Sequence, residues 1–221
     1  MALYRSSVGK KVVMAVTGVI LFLFIVMHML GNLKVFQGPE KFTAYAEFLR
    51  TVGAPLLGRG QLLLITRVGL LVSVLLHIVA AIQLYFMATT ARPVEYRRPM
   101  HLEDTYASRT MRWGGVIIFT FVIYHLLHFT FGTVHPDFVH GNPYSNIVAG
   151  FQSVPVSLVY IIAVGVLGMH LYHGIWSGLQ TFGANHPQYN RLRRSFAALM
   201  SVGIFAGYIV VPISVMTGVL R

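Results

Sequence analysis

The chain has 221 residues, of which 56% are hydrophobic and only 10% are charged, whereas soluble domains carry about 25% charged residues. It contains no cysteine, which excludes disulfides, iron–sulfur clusters held by thiolates of this chain, and covalently attached c-type haem. In a soluble protein the formal net charge of +11 would suggest nucleic acid. Here the basic residues stand in short loops between apolar runs, so we expect no nucleic-acid partner.

Five apolar runs are long enough to cross a lipid bilayer, since about 20 helical residues span a hydrocarbon core about 30 Å thick. The runs lack the alternation of barrel strands, and helices satisfy every backbone group internally. We therefore predict an all-α integral membrane protein that forms a single membrane domain over residues 1–221. The predicted first to fifth spans cover residues 12–31, 62–87, 113–132, 155–182 and 196–219.

The loop after the first span, 32–61, contains a predicted amphipathic helix from Pro39 to Arg50. Proline suits a first helical position, and Gly53 follows the end. Its apolar face consists of Phe42, Tyr45, Phe48 and Leu49. This helix either lies on the membrane interface or packs as an ordinary loop helix.

Basic residues predict the orientation of the five spans, because cytoplasmic loops carry an excess of Lys and Arg. One side of the membrane has Arg5, Lys10, Lys11, Arg92, Arg97, Arg98, Arg109, Arg112, Arg191, Arg193 and Arg194. The other side has Lys34, Lys41, Arg50, Arg59 and Arg221. We therefore predict a cytoplasmic N-terminus.

Six of the ten histidines lie within the first four spans: His28, His77, His125, His128, His170 and His173. An ionisable residue at membrane depth is costly and usually functional. A proton relay normally brings carboxylates, yet no Asp or Glu occurs in any span. Interhelical hydrogen bonds would explain a lone histidine, but four successive histidine-bearing spans favour haem-iron ligation. We predict that the first four helices form a haem-binding bundle.

Depth in the membrane suggests how the histidines pair. His28 and the pair His125/His128 lie near the outer ends of their spans, whereas His77 and the pair His170/His173 lie nearer the inner halves. At 1.5 Å per residue these positions form two layers. Depth does not choose between the two members of each pair, because residues at i and i+3 share a helix face.

Several segments carry a resemblance to a known family. They are Ser7–Gly18 (SVGKKVVMAVTG), His28–Asn32 (HMLGN), His125–Phe129 (HLLHF), His170–Gly183 (HLYHGIWSGLQTFG) and Asn185–Pro187 (NHP). They resemble the cytochrome b membrane anchor of succinate:quinone oxidoreductases, of the single-subunit, five-helix, dihaem type. The resemblance spans nearly the whole chain, and the segment from His170 to Gly183 is the most specific.

The resemblance implies two haem b groups with axial ligands from the first four helices. His28 and His125 would hold the haem distal to the cytoplasmic subunits, and His77 and His170 the proximal one. The resemblance thus implies that the first histidine of each i,i+3 pair, His125 or His170, is the ligand.

Further site residues are hypotheses. His128 and His173 are candidates for binding a propionate or a quinone. Arg67, within the second span, is a candidate partner of a distal propionate, with snorkelling to the interface as the alternative. Glu47 is a candidate proton carrier for a quinone, with simple solvent exposure as the alternative. We expect no catalytic residue of the dicarboxylate reaction in this chain.

The resemblance also implies the reaction and the partners. A flavoprotein with FAD and an iron–sulfur subunit would complete a succinate dehydrogenase or fumarate reductase of the respiratory chain and tricarboxylic acid cycle. This chain would anchor them in the cytoplasmic (inner) membrane, as a multi-pass protein, and pass electrons to menaquinone or ubiquinone. The complexes could assemble into a higher oligomer.

Two other functions fit parts of the pattern. A haem-b anchor of a formate dehydrogenase or hydrogenase would share the histidines but not the His170–Gly183 segment. A small transporter without haem would be colourless and would show no b-type absorption band.

Overall fold

The computed structural model describes residues 2–91 and 106–221, and in these ranges it is helical without any strand. Helices α1 to α8 cover, in chain order, Ala2–Arg5, Ser7–Leu33, Pro39–Thr51, Gln61–Thr90, Tyr106–His125, Pro143–Gln152, Val154–Thr181 and Asn190–Met216. A π-helical turn, Leu126–Thr130, continues α5, and 3₁₀ turns occupy Lys34–Gln37 and Pro187–Tyr189.

Five of these helices, α2, α4, α5, α7 and α8, are long and apolar enough to cross a membrane. The predicted all-α protein with five membrane-spanning helices is thus confirmed. Helix α5 begins at Tyr106 and α8 at Asn190, each about two turns before the apolar run. The predicted runs begin later than the helices because hydropathy marks only the part of a helix in contact with hydrocarbon. Arg92, Arg97 and Arg98, which helped to predict the orientation, lie outside the described residues.

Local sequence explains where two of the helices begin. The Ser6 side chain caps α2 by accepting a hydrogen bond from the backbone N–H of Gly9 at 3.0 Å. The Asn142 side chain caps α6 in the same way, and Pro143 occupies the first turn. Helix α8 continues through Pro212, as membrane helices can where neighbouring helices support the backbone.

The four histidine-bearing helices form a bundle in the order α4, α2, α7, α5. Helix α2 packs along α4 and α7, and α5 packs along α7. Helices α2 and α5 therefore lie diagonally opposite, as do α4 and α7. Helix α8 packs on α7 and α2 outside this bundle. In the described ranges α4 and α5 do not pack closely, which leaves one side of the bundle open.

The short helices α3 and α6 cover one end of the bundle, which is called the outer end after the predicted orientation. A helix here was predicted from Pro39 to Arg50, and the structure has α3 at Pro39–Thr51. Helix α6 was not predicted. The two helices pack against each other, and residues of both join a buried apolar cluster whose members include Phe42, Val148, Phe151 and Tyr160.

Asn146 on α6 ties the loop before this helix to α6 itself. Its side chain accepts a hydrogen bond from the Val139 N–H at 2.8 Å and donates one to the Val139 carbonyl at 2.9 Å. We expect Asn146→Ala to lower the free energy of unfolding by about 2 kcal/mol, the usual net value of two such bonds. Thermal denaturation of the purified protein in detergent would measure this loss. Gln152→Ala, an exposed position on the same helix, is the control and should change the midpoint little; equal effects would contradict the prediction.

Candidate functional site

Two histidines meet in the outer half of the bundle. His28 on α2 and His125 at the end of α5 have ring centres 5.9 Å apart, with an interplanar angle of 81°. Phe24, one turn before His28, stacks on the His28 ring at 5.3 Å. The rings thus face each other across the diagonal between α2 and α5.

A second pair lies deeper toward the inner end. His77 on α4 and His170 on α7 have ring centres 6.3 Å apart, with an interplanar angle of 57°. His77 contacts α2 near Thr17 and Gly18, and His28 lies ten residues after Gly18 on the same helix. At 1.5 Å per residue, the two pairs are separated by about 15 Å along α2.

One member of each pair has its Nδ1 atom hydrogen-bonded. His77 Nδ1 lies 3.1 Å from the Met14 carbonyl oxygen and 3.2 Å from the Thr17 hydroxyl. His125 Nδ1 lies 3.4 Å from the Tyr160 hydroxyl. A carbonyl oxygen can only accept, so His77 carries its proton on Nδ1. Its Nε2 lone pair therefore remains for a metal, the usual arrangement of a metal-ligating imidazole.

The separation of the rings fits haem iron. Two imidazoles that bind one metal ion from opposite sides, each with a metal–nitrogen distance of about 2 Å, have ring centres roughly 6 Å apart. Both pairs have this separation. Within residues 2–91 and 106–221 there is no group of three His, Cys, Asp or Glu side chains that could hold a metal ion. A haem iron needs no such group, because the porphyrin would supply four ligands and the protein only two.

Gly18 on α2 lies against the His77 ring. A Cβ atom at this position would lie 3.4 Å from His77 Cε1 and 3.8 Å from Nδ1, in van der Waals contact. A side chain larger than that of alanine would therefore press on the imidazole. The glycine gives the ring room beside its hydrogen-bond partners Met14 and Thr17.

A cavity of about 210 Å³ adjoins His170 between α5 and α7. Gly114 and Val166 line it together with several larger apolar side chains. The Nδ1 atom of His170 is buried and has no hydrogen-bond partner in the part of the chain that the structure describes. An apolar space beside a buried imidazole suits a flat, largely apolar ligand.

His128 lies in the π-helical turn and is fully buried, with 0% of its surface exposed. Its Nδ1 is 3.0 Å from the Tyr160 hydroxyl, and its ring stacks on that of His135 with centres 4.8 Å apart. Its Nε2 is buried and has no partner among the described residues. His128 therefore belongs to a polar cluster beside His125 and faces no second histidine across the bundle as the paired rings do.

The remaining predicted site residues lie apart from the two pairs. His173 is half-buried one turn beyond His170, with its ring centre 6.0 Å from that of Trp176. Arg67 is exposed on the second turn of α4. Glu47 on α3 forms ion pairs with Arg50, at 3.8 Å, and with Arg59.

Two basic residues are buried near the inner ends of the helices. The Lys10 ammonium donates hydrogen bonds to the carbonyl oxygens of Tyr4 and Arg5. Arg193 is only 5% exposed and donates to the Asn190 side chain at 2.6 Å. Its Nε and Nη1 atoms have no hydrogen-bond partner within the described ranges, so they are available to an anion.

Three residues beside the site histidines were not predicted: Thr17 and Tyr160 contact members of the facing pairs, and His135 contacts His128. Thr17 is a polar residue in an apolar span, but Thr66 and Thr120 are as well and are exposed, so polarity alone does not identify it. Tyr160 is one aromatic residue among several in its span, and nothing in the sequence marks it. His135 stands in a loop, and its contact with His128 depends on how that loop folds.

Comparison with known proteins gives one match. A family model described as "Succinate dehydrogenase/Fumarate reductase transmembrane subunit" matches residues 91–211, more than half of the chain. No curated protein and no solved structure matches.

Proposed function

The chain belongs to the succinate dehydrogenase/fumarate reductase transmembrane subunit family, and on this premise we propose that it is the dihaem cytochrome b anchor of a succinate:quinone oxidoreductase. As a membrane subunit of an oxidoreductase complex, it would pass electrons between an iron–sulfur subunit and quinone in the bilayer. The oxidation of succinate, or the reduction of fumarate, would take place on the flavoprotein subunit.

The observation that carries this proposal is the pair of facing imidazoles at each of two depths. His28 and His125 would hold the outer haem, and His77 and His170 the inner one. Each pair joins diagonally opposite helices, so the ligands face each other across the bundle interior. The four ligands proposed here are the first histidines of HMLGN, HLLHF and HLYHG together with His77.

When bound, the two haem groups would accept and release single electrons at two depths, about 15 Å apart. The chain's own residues would hold and orient them. The Met14 carbonyl and the Thr17 hydroxyl would hold the His77 ring through Nδ1, which keeps the proton there and leaves Nε2 for the iron. The apolar spans around the pairs exclude water.

Other residues would bind charged or polar groups of the ligands. Arg193, buried with two guanidinium nitrogens available, would pair with a carboxylate such as an inner haem propionate. We retain Arg67 as a candidate for an outer propionate and His128 and His173 as candidates for a propionate or a quinone. Glu47 remains the candidate proton carrier, although its ion pairs with Arg50 and Arg59 also explain it as a link between α3 and the following loop.

The proposed setting follows from the basic residues and the family. The N-terminus would face the cytoplasm, where the basic inner loops would meet the flavoprotein and iron–sulfur subunits. The complex would reside in the cytoplasmic (inner) membrane and use menaquinone or ubiquinone, and complexes could associate into a higher oligomer.

A pyridine haemochrome assay with protein quantitation on the purified complex tests the proposal. We expect about two haem b groups per chain, because each of the two facing histidine pairs would hold one. A flavin-containing partner should copurify with the chain. A single haem would remove one pair from the proposal, and absence of haem would reject it altogether. A molybdenum- or nickel-containing partner would favour the formate dehydrogenase or hydrogenase alternative.

A further inference from the structure

The Tyr160 hydroxyl lies between two histidines of the outer half. It is 3.0 Å from His128 Nδ1 and 3.4 Å from His125 Nδ1. Tyr160 is 7% exposed. One oxygen atom thus joins the proposed axial ligand His125 to a histidine that is not proposed to bind iron.

The number of donors and acceptors determines which group donates in the hydrogen bonds of Tyr160 with His125 and His128. If His125 binds iron through Nε2, its proton stays on Nδ1 and is donated to the Tyr160 oxygen. The single hydroxyl proton of Tyr160 is then donated to His128 Nδ1. His128 consequently keeps its own proton on Nε2. In the chain His125–Tyr160–His128, His125 therefore donates, Tyr160 accepts one hydrogen bond and donates another, and His128 accepts through Nδ1.

Packing holds the Tyr160 ring in place. Its centre lies 4.9 Å from that of Phe121 and 5.0 Å from that of Phe151, both in edge-to-face contact. Such aromatic contacts are favourable and specific in orientation. The hydroxyl therefore does not depend on its hydrogen bonds alone for its position.

His128, the other partner of the hydroxyl, is also fixed. Its ring lies between Tyr124, at 5.5 Å, and His135, at 4.8 Å. His135 is held in turn, since its Nε2 bonds to the Asn146 carbonyl at 2.9 Å and its Nδ1 accepts from the Asp137 N–H at 3.1 Å. The outer loop and α6 thus support the acceptor that orients the Tyr160 hydroxyl.

We propose that Tyr160 is a positioning residue for the outer haem, whose hydroxyl orients the His125 ring and tunes its electron donation to the iron. This inference rests on the proposed function. An acceptor on Nδ1–H makes an imidazole a stronger donor, which stabilises the oxidised metal. Removing the acceptor should therefore raise the midpoint potential of the outer haem.

The test is a redox titration of the purified complex carrying Tyr160→Phe, with electron paramagnetic resonance of the oxidised haems. The outer haem is assigned as the one absent from His28→Leu. We expect the ratio of reduced to oxidised outer haem at a given potential to rise about tenfold, which is 59 mV for one electron. Its spectrum should change because the His125 ring is no longer oriented. The inner haem should keep its potential and spectrum.

Tyr124→Phe is the matched control. Tyr124 also contacts His128, but its hydroxyl makes no hydrogen bond with the described residues, so neither haem should change. An unchanged outer haem in Tyr160→Phe, or equal shifts of both haems, would overturn the inference. If the unsubstituted complex contains two haems, either of these results overturns only the role of Tyr160 and leaves the proposed function standing. If it contains no haem at the outer pair, that pair is removed from the proposed function, and absence of any haem rejects the proposed function altogether.

Discussion

Replacing His125 with leucine should reduce the haem content of the purified complex from about two per chain to about one. Leucine has similar bulk but no lone pair, so the outer iron would lose one of its two axial ligands. The ring of His125 is one of the two that face each other 5.9 Å apart. The inner pair lies about 15 Å away along α2 and should keep its haem. A pyridine haemochrome assay measures the loss.

Two further variants make this result specific to His125. His140→Ala changes an exposed histidine of the outer loop and should retain both haems. His128→Asn should also retain both, because His128 lies on the other side of Tyr160 and is not proposed to bind iron. If His125→Leu kept two haems, the assignment of His125 as a ligand would have to be abandoned. If His128→Asn lost one haem, the choice of His125 over His128 would have to be reversed.

Replacing Gly18 with valine should selectively remove or weaken binding of the inner haem. A Cβ atom at Gly18 already lies at 3.4 Å from the His77 ring, so the two additional methyl groups would push the imidazole away from His170. Metal sites commonly lose affinity by about 10- to 100-fold when the support of a ligand is disturbed. Haem content and the optical spectrum of the purified complex would show the loss.

Gly203→Val provides the matched control. Gly203 lies in the spanning helix α8, is exposed, and would place its Cβ with nothing within 4 Å. This variant makes the same change of side chain in a membrane helix and should keep both haems. Equal loss in the two variants would show that valine disturbs membrane insertion or assembly in general, which would contradict the role given to Gly18.

The lengths of the spans and the depths of residues within them depend only on distance along the chain and could be predicted from the sequence. Uninterrupted apolar runs predicted all five membrane-spanning helices, since the bilayer sets a minimum length. Depth within those runs predicted that His28 would lie level with His125 and His128, and His77 with His170 and His173; the family resemblance then selected His125 and His170. The structure brings these same rings together, because helices that cross one membrane share its depth scale.

Features that depend on the rotation of one helix against another were not predictable. Tyr160 and His125 are 35 residues apart, and their contact requires α7 to present one particular face to α5. Nothing distinguishes that tyrosine among the aromatic residues of its span. Helix α6 was not predicted, because it has only ten residues and begins among turn-forming residues. Its sequence is too short to show a clear helical repeat of hydrophobic residues.

The open side of the bundle has a consequence for biogenesis. In the described ranges α4 and α5 are not closely packed, whereas the opposite side is sealed by α2 and α7 with α8 behind them. If the chain binds haem as proposed, this side would give a flat apolar group dissolved in the lipid a lateral path into the bundle after every helix has been inserted. A fully inserted form without haem would then be a precursor to which haem is added last.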